Sequence, residues 1–337
     1  MIKEAIAKIV ISIDLTEQEM FEAMNEVMTG AASPAQIAAF ITALRMKGET
    51  VAELTGAARL MREKGTRVNA GGAVVVDTCG TGGDEAHTFN ISTASAFVAA
   101  GAGLTVAKHG NRSVSSRSGS ADVLKALGVN IEAEVSKVEE CLAKAGIGFL
   151  FAPMLHGAMK YAAPVRRELG IRTIFNLLGP LTNPAGAKRQ VIGVYDPALT
   201  DLLAKVLANL GTERAFIVRG EDGLDEITLT GPTRITELHG GSIRTYHITP
   251  EEFGLSRCSP QDLKGAGPDE NARIILDVLN GKGSQAQRGV VILNAGAAIA
   301  AGGKAHALGE GVALARAAID SGEALARLEL LKTITNS

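Results

Sequence analysis

The chain has 337 residues, 46% of them hydrophobic, which suffices for a full core in one large or two ordinary domains. With 34 basic against 36 acidic residues, a net charge of −2, 4% aromatics and no Trp, it has neither the field nor the stacking platforms of a nucleic-acid binder. Any anion site must therefore be built locally.

In chain order, residues 1–13 mix apolar residues with lysines and Glu4 and lack the apolar stretch and cleavage site of a secretory signal. Thr16 and Glu19 form a capping box, and Phe21, Met24 and Met28 share a helical face until Gly30. Ser33 as N-cap and Pro34 at the first helical position open a second helix, which carries Ile37, Phe40, Ile41 and Leu44 and ends at Gly48. Thr50 and Glu53 repeat the capping box for a third helix that ends at Gly65. From residue 73 the pattern changes to short β-branched runs at 74–76, 104–107, 147–151, 191–194 and 215–218, alternating with amphipathic helices, as expected of a mostly parallel sheet covered on both faces. A helix is expected to begin near Ala94, with Ser92 and Thr93 as cap donors. The more polar stretch 226–248 reads as a few antiparallel strands, and 290–301 as a buried helical segment. No uninterrupted apolar run reaches spanning length, so no membrane is expected, and three cysteines without metal-ligand spacing fit reduced thiols in the cytoplasm.

Two segments carry the chemistry. Residues 77–84, Asp-Thr-Cys-Gly-Thr-Gly-Gly-Asp, follow a short apolar strand over 73–76, and their glycines let the backbone turn with N–H groups exposed, a cradle for phosphate beside a helix N-terminus. An ordinary tight turn would share that pattern. The spacing is neither a Walker loop nor a dinucleotide fingerprint, so ATP and NAD are not expected. Residues 108–120 place Lys108, Arg112 and Arg117 with Asn111, Ser113, Ser115, Ser116 and Ser120 directly after an apolar strand, where α/β folds hold ligands. A flexible Ser-rich loop is the alternative, although a helix over 121–128 follows at once. Asp225 and Glu226, after Gly223, suit Mg²⁺ as hard oxygen ligands or form a solvated acidic turn; Ser92 is a further candidate ligand. Arg166, Arg167 and Arg172 could grip an acidic substrate through a planar fork, or end a solvated helix. His109 and His156 lack an orienting carboxylate in sequence and receive no proton-transfer role.

Taken together, 77–84, Asn90-Ile91-Ser92-Thr93, 108–120, 166–184 and the Asp225-Glu226 pair resemble the anthranilate phosphoribosyltransferase family, in its order and approximate spacing and along nearly the whole chain. The resemblance implies a nucleoside phosphorylase-like α/β fold: a small N-terminal α-helical domain, residues 1–70 with a return at 166–187, and a large α/β domain, residues 71–165 with 188–337, around a central mixed, mostly parallel sheet. It implies transfer of the 5-phosphoribosyl group from phosphoribosyl pyrophosphate to the amino group of anthranilate, in tryptophan biosynthesis, without a covalent nucleophile. The donor would be held by Gly80, Gly83, Asp84, Thr88, Asn90, Ile91, Ser92, Thr93, Lys108, His109, Gly110, Asn111, Arg112, Ser113, Val114, Ser115, Ser116 and Ser120, with Lys108 acting electrostatically. Anthranilate would meet Gly80, Asn111 and Arg166. Two Mg²⁺ per subunit would be held, one by Ser92 and the other by Asp225 with Glu226. A cytoplasmic homodimer through the helical domain is also implied. A pyrimidine nucleoside phosphorylase would carry Lys-His-Ser-Thr-Gly-Gly where this chain has Lys108-His109-Gly110-Asn111-Arg112. A non-catalytic, nucleic-acid-binding relative would show a basic face and would lose the metal and substrate residues.

Overall fold

The structure is a computed structural model that describes residues 1–112 and 118–337. Helix α1 (Ile2–Ile9), not anticipated from the sequence, buries Ile2, Ala5 and Ile9. The next three helices, α2 (Glu17–Thr29), α3 (Pro34–Lys47) and α4 (Val51–Lys64), start where the caps place them: Thr16, Ser33 and Thr50 each accept from the backbone N–H three residues on. Their buried faces meet in one core with Ala162, Val165, Ile174, Phe175, Leu177, Leu178 and Leu181, supplied by α9 (Ala162–Leu169), α10 (Phe175–Leu178) and their surroundings. That helical core thus takes in side chains ahead of residue 166.

The rest alternates strand and helix: β1 (Val75–Asp77), α5 (Ile91–Gly101), β2 (Thr105–Gly110), α6 (Ser120–Ala126), α7 (Val135–Lys144), β3 (Ile147–Phe151), a short α8 (Ala152–Leu155), then, beyond α9 and α10, β4 (Arg189–Gly193), α11 (Ala198–Asn209) and β5 (Arg214–Gly220). An antiparallel pair, β6 (Thr233–His239) and β7 (Ser242–Ile248), precedes α12 (Pro268–Leu279), α13 (Gln285–Ala301), α14 (Leu308–Asp320) and α15 (Glu323–Thr335). The sheet has the order β3-β2-β1-β4-β5-β6-β7, parallel through β5 and antiparallel beyond it. Alternate side chains of β5 face opposite cores, Phe216 and Val218 toward α13 and its neighbours, Ala215 and Ile217 toward the helical core, so both faces are covered. The chain runs outward one way from β1 through β2 to β3 and the other way from β4 to β5. The carboxyl ends of β1 and β4 therefore border a crevice, the usual place for a ligand in such a sheet.

Three expectations are corrected here. Helix α5 begins at Ile91, so Ser92 and Thr93 lie in its first turn instead of capping it; Asn90 is the N-cap, and its side chain bonds elsewhere. Strand β2 continues to Gly110, which puts Lys108 and His109 inside the sheet and buried. The antiparallel strands start only at Thr233, leaving Asp225 and Glu226 in the connection after β5. Among the described residues, no helix is long and apolar enough to cross a membrane, and Cys79, Cys141 and Cys258 are free thiols.

Candidate active site

The loop after β1 turns back on itself at Gly82 and Gly83, with φ of +66° and +86° that favour glycine. Gly80 lies against the end of β4, where Thr81 N–H donates to the Gly193 carbonyl at 2.9 Å. Asp84 ends the turn: one carboxylate oxygen accepts from Ala86 N–H at 3.1 Å and the other from Asp225 N–H at 3.4 Å. Thr88 bridges to Lys264, and Asn90 accepts from Ser118 and Asn271 while donating to the Ser118 carbonyl at 3.0 Å. Ile91 is buried.

Lys108 comes up from β2 and donates to the Thr78 carbonyl at 3.3 Å, the Thr78 hydroxyl at 3.2 Å and Ser92 Oγ at 3.4 Å. Ser92 N–H in turn donates to Glu226 Oε1 at 3.0 Å. One of the open N–H groups of α5 thus binds a carboxylate of this same chain. Asp84, Asp225 and Glu226 converge there, and the consequences are electrostatic. Loss of water raises the Glu226 carboxyl to about 8, with Asp84 adding repulsion and Lys108 and Ser92 opposing it. Asp225 is raised well above the usual carboxylate range, first by burial and then by Asp84 and Glu226. Asp225 and Glu226 are half-buried beside a third acid, a less solvated setting than an exposed acidic turn. Asp225, Glu226 and the Ser92 hydroxyl offer oxygens of the kind a hard divalent cation takes, whereas the set of three His, Cys and carboxylate ligand atoms that lie within 4.8 Å of one another among the described residues is that of Asp77, Cys79 and His109.

Beneath this cluster, Asp77 is fully buried, accepting from His109 N–H at 3.1 Å and Asn183 Nδ2 at 2.7 Å. Burial lifts its carboxyl to about 6 although Lys108 and these donors pull it down. His109 Nδ1 lies 3.0 Å from the Gly179 carbonyl, and its ring meets that of His156 edge-on at 5.1 Å. Burial lowers the two imidazoles to about 3 and about 4, so both are neutral near pH 7. Each Nε2 lacks a hydrogen-bond partner among the described residues. His156 carried no site role in the sequence because its relation to His109 exists only through space.

Other expected residues are not drawn together. Asn111 is exposed. Arg112 lies over Phe151 and pairs with Glu132 at 3.3 Å and Asp122 at 3.6 Å, away from the acids. Gly110 closes against Ser120, whose hydroxyl donates to the Asn111 carbonyl at 3.4 Å. Thr93 is buried, and its hydroxyl has no hydrogen-bond partner among the described residues. Arg166, half-buried on α9, stacks over Phe175 at 5.2 Å. Arg172 instead crosses to the glycine turn, donating to the Gly83 carbonyl, pairing with Glu85 and stacking on Tyr195 at 4.4 Å. Ser113, Val114, Ser115, Ser116 and Arg117 lie outside the described residues.

A helical bundle is joined to a mostly parallel sheet that carries acids, a lysine and a glycine turn at its carboxyl edge, and the chain matches a glycosyl transferase family. Two models of that family match in sequence, the helical bundle domain at residues 3–65 and the a/b domain at 72–325. Among curated relatives, anthranilate phosphoribosyltransferase of Geobacter sulfurreducens is 56% identical with both chains covered in full, and that of Desulfosudis oleivorans is 55% identical over all of this chain and 99% of its own. The crystal structure of the Thermus thermophilus enzyme superposes with a TM-score of 0.93 at 45% identity, covering 99% of both chains. Structures of the Saccharomyces cerevisiae enzyme, 28% identical, hold phosphoribosyl pyrophosphate with Mg (TM-score 0.90, 99% and 98% covered) or 4-fluoroanthranilate (TM-score 0.89, 99% and 97% covered). The chain belongs to the anthranilate phosphoribosyltransferase family.

Proposed function

We propose that this crevice transfers the 5-phosphoribosyl group of phosphoribosyl pyrophosphate to the amino group of anthranilate, giving N-(5-phosphoribosyl)anthranilate and pyrophosphate in tryptophan biosynthesis. The observation that carries the reading is the convergence of Lys108, Ser92, Asp84, Asp225 and Glu226 at the carboxyl edge of the sheet. The aniline nitrogen is already a usable nucleophile, so the protein needs to orient it at C1 and stabilise departing pyrophosphate. No side chain need attack. The glycine turn at Gly80 and Gly83, with Asp84, Thr88, residues 90–93, Lys108 to Arg112, residues 113–116 and Ser120, would bind the donor. Asn111 and Arg166, with Gly80, would take the acceptor; the Arg166 fork suits a carboxylate.

Ser92 would hold one Mg²⁺, and Asp225 with Glu226 a second, giving two per subunit. When bound, the cations neutralise the donor's pyrophosphate as it leaves. Residues 1–70 with 166–187 would act as the helical, acceptor-side domain and residues 71–165 with 188–337 as the donor-binding domain. A homodimer through the helical domain is supported by exposed apolar side chains at Val10, Ile11, Ile13 and Met46. The free thiols fit a cytoplasmic protein. The deciding experiment follows anthranilate fluorescence on adding phosphoribosyl pyrophosphate and Mg²⁺. Fluorescence should fall in step with pyrophosphate release, and an unchanged signal from folded protein would overturn the assignment.

A further inference from the structure

The connection between β5 and β6 has no regular structure of its own, yet it must hold two carboxylates at a defined place. Three elements outside it fix the tripeptide Asp225-Glu226-Ile227. At the end of β4, Gly193 lies so close that a Cβ there would sit 1.5 Å from the Asp225 carbonyl oxygen. From α5, the Ser92 N–H holds the Glu226 carboxylate. The third contact comes from α13, a helix whose residues from Gly289 to Ala301 are all buried and, apart from one, apolar or glycine.

That one is Asn294, 2% exposed. Its Oδ1 accepts from Ile227 N–H at 2.9 Å, and its Nδ2 donates to the Ile227 carbonyl at 2.8 Å and to the Val290 carbonyl at 2.9 Å. The amide therefore pairs with both main-chain groups of a single residue, as a neighbouring strand would, and spends its second donor hydrogen one turn back on its own helix. Aspartate has no donor for the Ile227 carbonyl, and an aliphatic side chain would leave both buried Ile227 groups unpaired at considerable cost. A polar residue is unfavourable on a helix packed on all sides, so its presence calls for a partner elsewhere.

We infer that Asn294 is a positioning residue for the acid pair: by clamping the main chain one residue beyond Glu226, it ties the cation-binding carboxylates to a deeply buried helix. The inference rests on the metal role proposed above for Asp225 and Glu226. Outer residues that orient ligands typically change metal affinity by roughly 10- to 100-fold when removed.

The test uses full-length Asn294→Leu, which nearly preserves volume, and Asn294→Ala. Ile299→Ala serves as a control that removes a buried side chain five residues further along the same helix, where no hydrogen bond to residues 221–232 is made by the side chain. Mn²⁺ binding in the presence of phosphoribosyl pyrophosphate, without anthranilate, is read by electron paramagnetic resonance; half-activating Mg²⁺, the anthranilate KM and the melting temperature are measured alongside. The expected result is a weakening of Mn²⁺ binding and a rise in half-activating Mg²⁺ of roughly 10-fold or more in both Asn294 variants, with the anthranilate KM near wild type and the metal curves of Ile299→Ala unmoved. A folded Asn294→Leu with wild-type metal curves, or an equal shift in Ile299→Ala, would reduce Asn294 to an ordinary core residue. Asp225→Asn with Glu226→Gln separates the two levels. If that pair variant leaves Mn²⁺ binding intact, the metal reading itself falls; if it abolishes binding while Asn294→Leu does not, only the clamp falls.

Discussion

Lys108 shows how one residue can serve two electrostatic ends. Its ammonium is buried, bonded to Thr78 and Ser92, and attracts both Asp77 and Glu226, so it stabilises the acids as well as offering charge to an anionic donor. Lys108→Met keeps the stem and removes the charge; catalytic efficiency should drop by an amount equivalent to roughly 2–4 kcal/mol, the scale of one preorganised electrostatic group. Steady-state kinetics on folded protein would check this, and unchanged efficiency would remove Lys108 from the chemistry. The raised carboxyls bring a second consequence. A carboxyl that titrates near 8 when folded and near its ordinary value of 4.5 when unfolded binds more protons in the native state between those limits, so stability falls as pH rises through that window. His109 and His156 oppose this at lower pH: titrating at about 3 and about 4 against 6.5 when unfolded, they add stability as pH rises toward 6.5. Asp77, at about 6 when folded, runs the other way below that value. Above pH 6.5 the acid cluster dominates these four. The metal-free protein should melt at progressively lower temperature from pH 6.5 to about 8, and the decline should flatten when Mg²⁺ and the donor are added. A scanning calorimetry series with and without both ligands decides it; a flat metal-free profile would mean that the acids are relieved by some other means.

At the scale of elements, the helices of the N-terminal bundle were legible because their signals are local. Thr16 with Glu19 and Thr50 with Glu53 cap within four residues of chain, and Gly30 takes the left-handed conformation that ends α2. The glycine turn and the position of Lys108 near the end of an apolar strand were legible for the same reason. The start of α5 was misread because Ser92 and Thr93 have the chemistry of caps, whereas the partner of the Ser92 N–H is Glu226, 134 residues further on. Asp84 joining Asp225 and Glu226, and Asn294 reaching Ile227, are likewise products of topology; only a lone Asn in an apolar run hinted at the latter. Gly193 belongs with them. A side chain there would strike a main-chain carbonyl, which has no rotamer by which to yield, so Gly193→Ala should separate β4 from the acid connection. The expected loss is about 1–3 kcal/mol of stability, the usual range for overpacking, together with a higher Mg²⁺ requirement. Denaturant melts paired with Mg²⁺ titrations would show both, and a variant matching wild type in each would disprove the closeness of this approach.

On the scale of the whole molecule, the same sheet serves two cores. One face of β4 and β5 closes against α13 and its neighbours, the other against the helical bundle, so the strand ends that carry the site stand where the two packings meet. Arg172 spans that junction, reaching the glycine turn while stacked on Tyr195. What this packing leaves uncovered is a corner of the bundle. Lys47 bonds Asp14 at 2.6 Å, which brings the turn after α1 beside the end of α3, and Ile13 on that turn and Met46 on α3 are 48% and 84% exposed. Val10 and Ile11, 62% and 68% exposed, extend the apolar surface along the same turn. Such a patch costs solubility unless another surface covers it, and a second copy of the same patch is self-complementary under two-fold symmetry. Met46→Glu would place two like charges across that axis, and burying an unpaired carboxylate is strongly unfavourable. Sedimentation velocity should therefore show dimeric wild type and a shift of Met46→Glu toward monomer. Each monomer should keep its own sheet edge, acid cluster and glycine turn, because all of these come from one chain, so turnover per subunit should survive dissociation unless the bundle itself loosens. A wild type that sediments as a monomer, or a Met46→Glu variant still dimeric at low concentration, would move the assembly surface elsewhere.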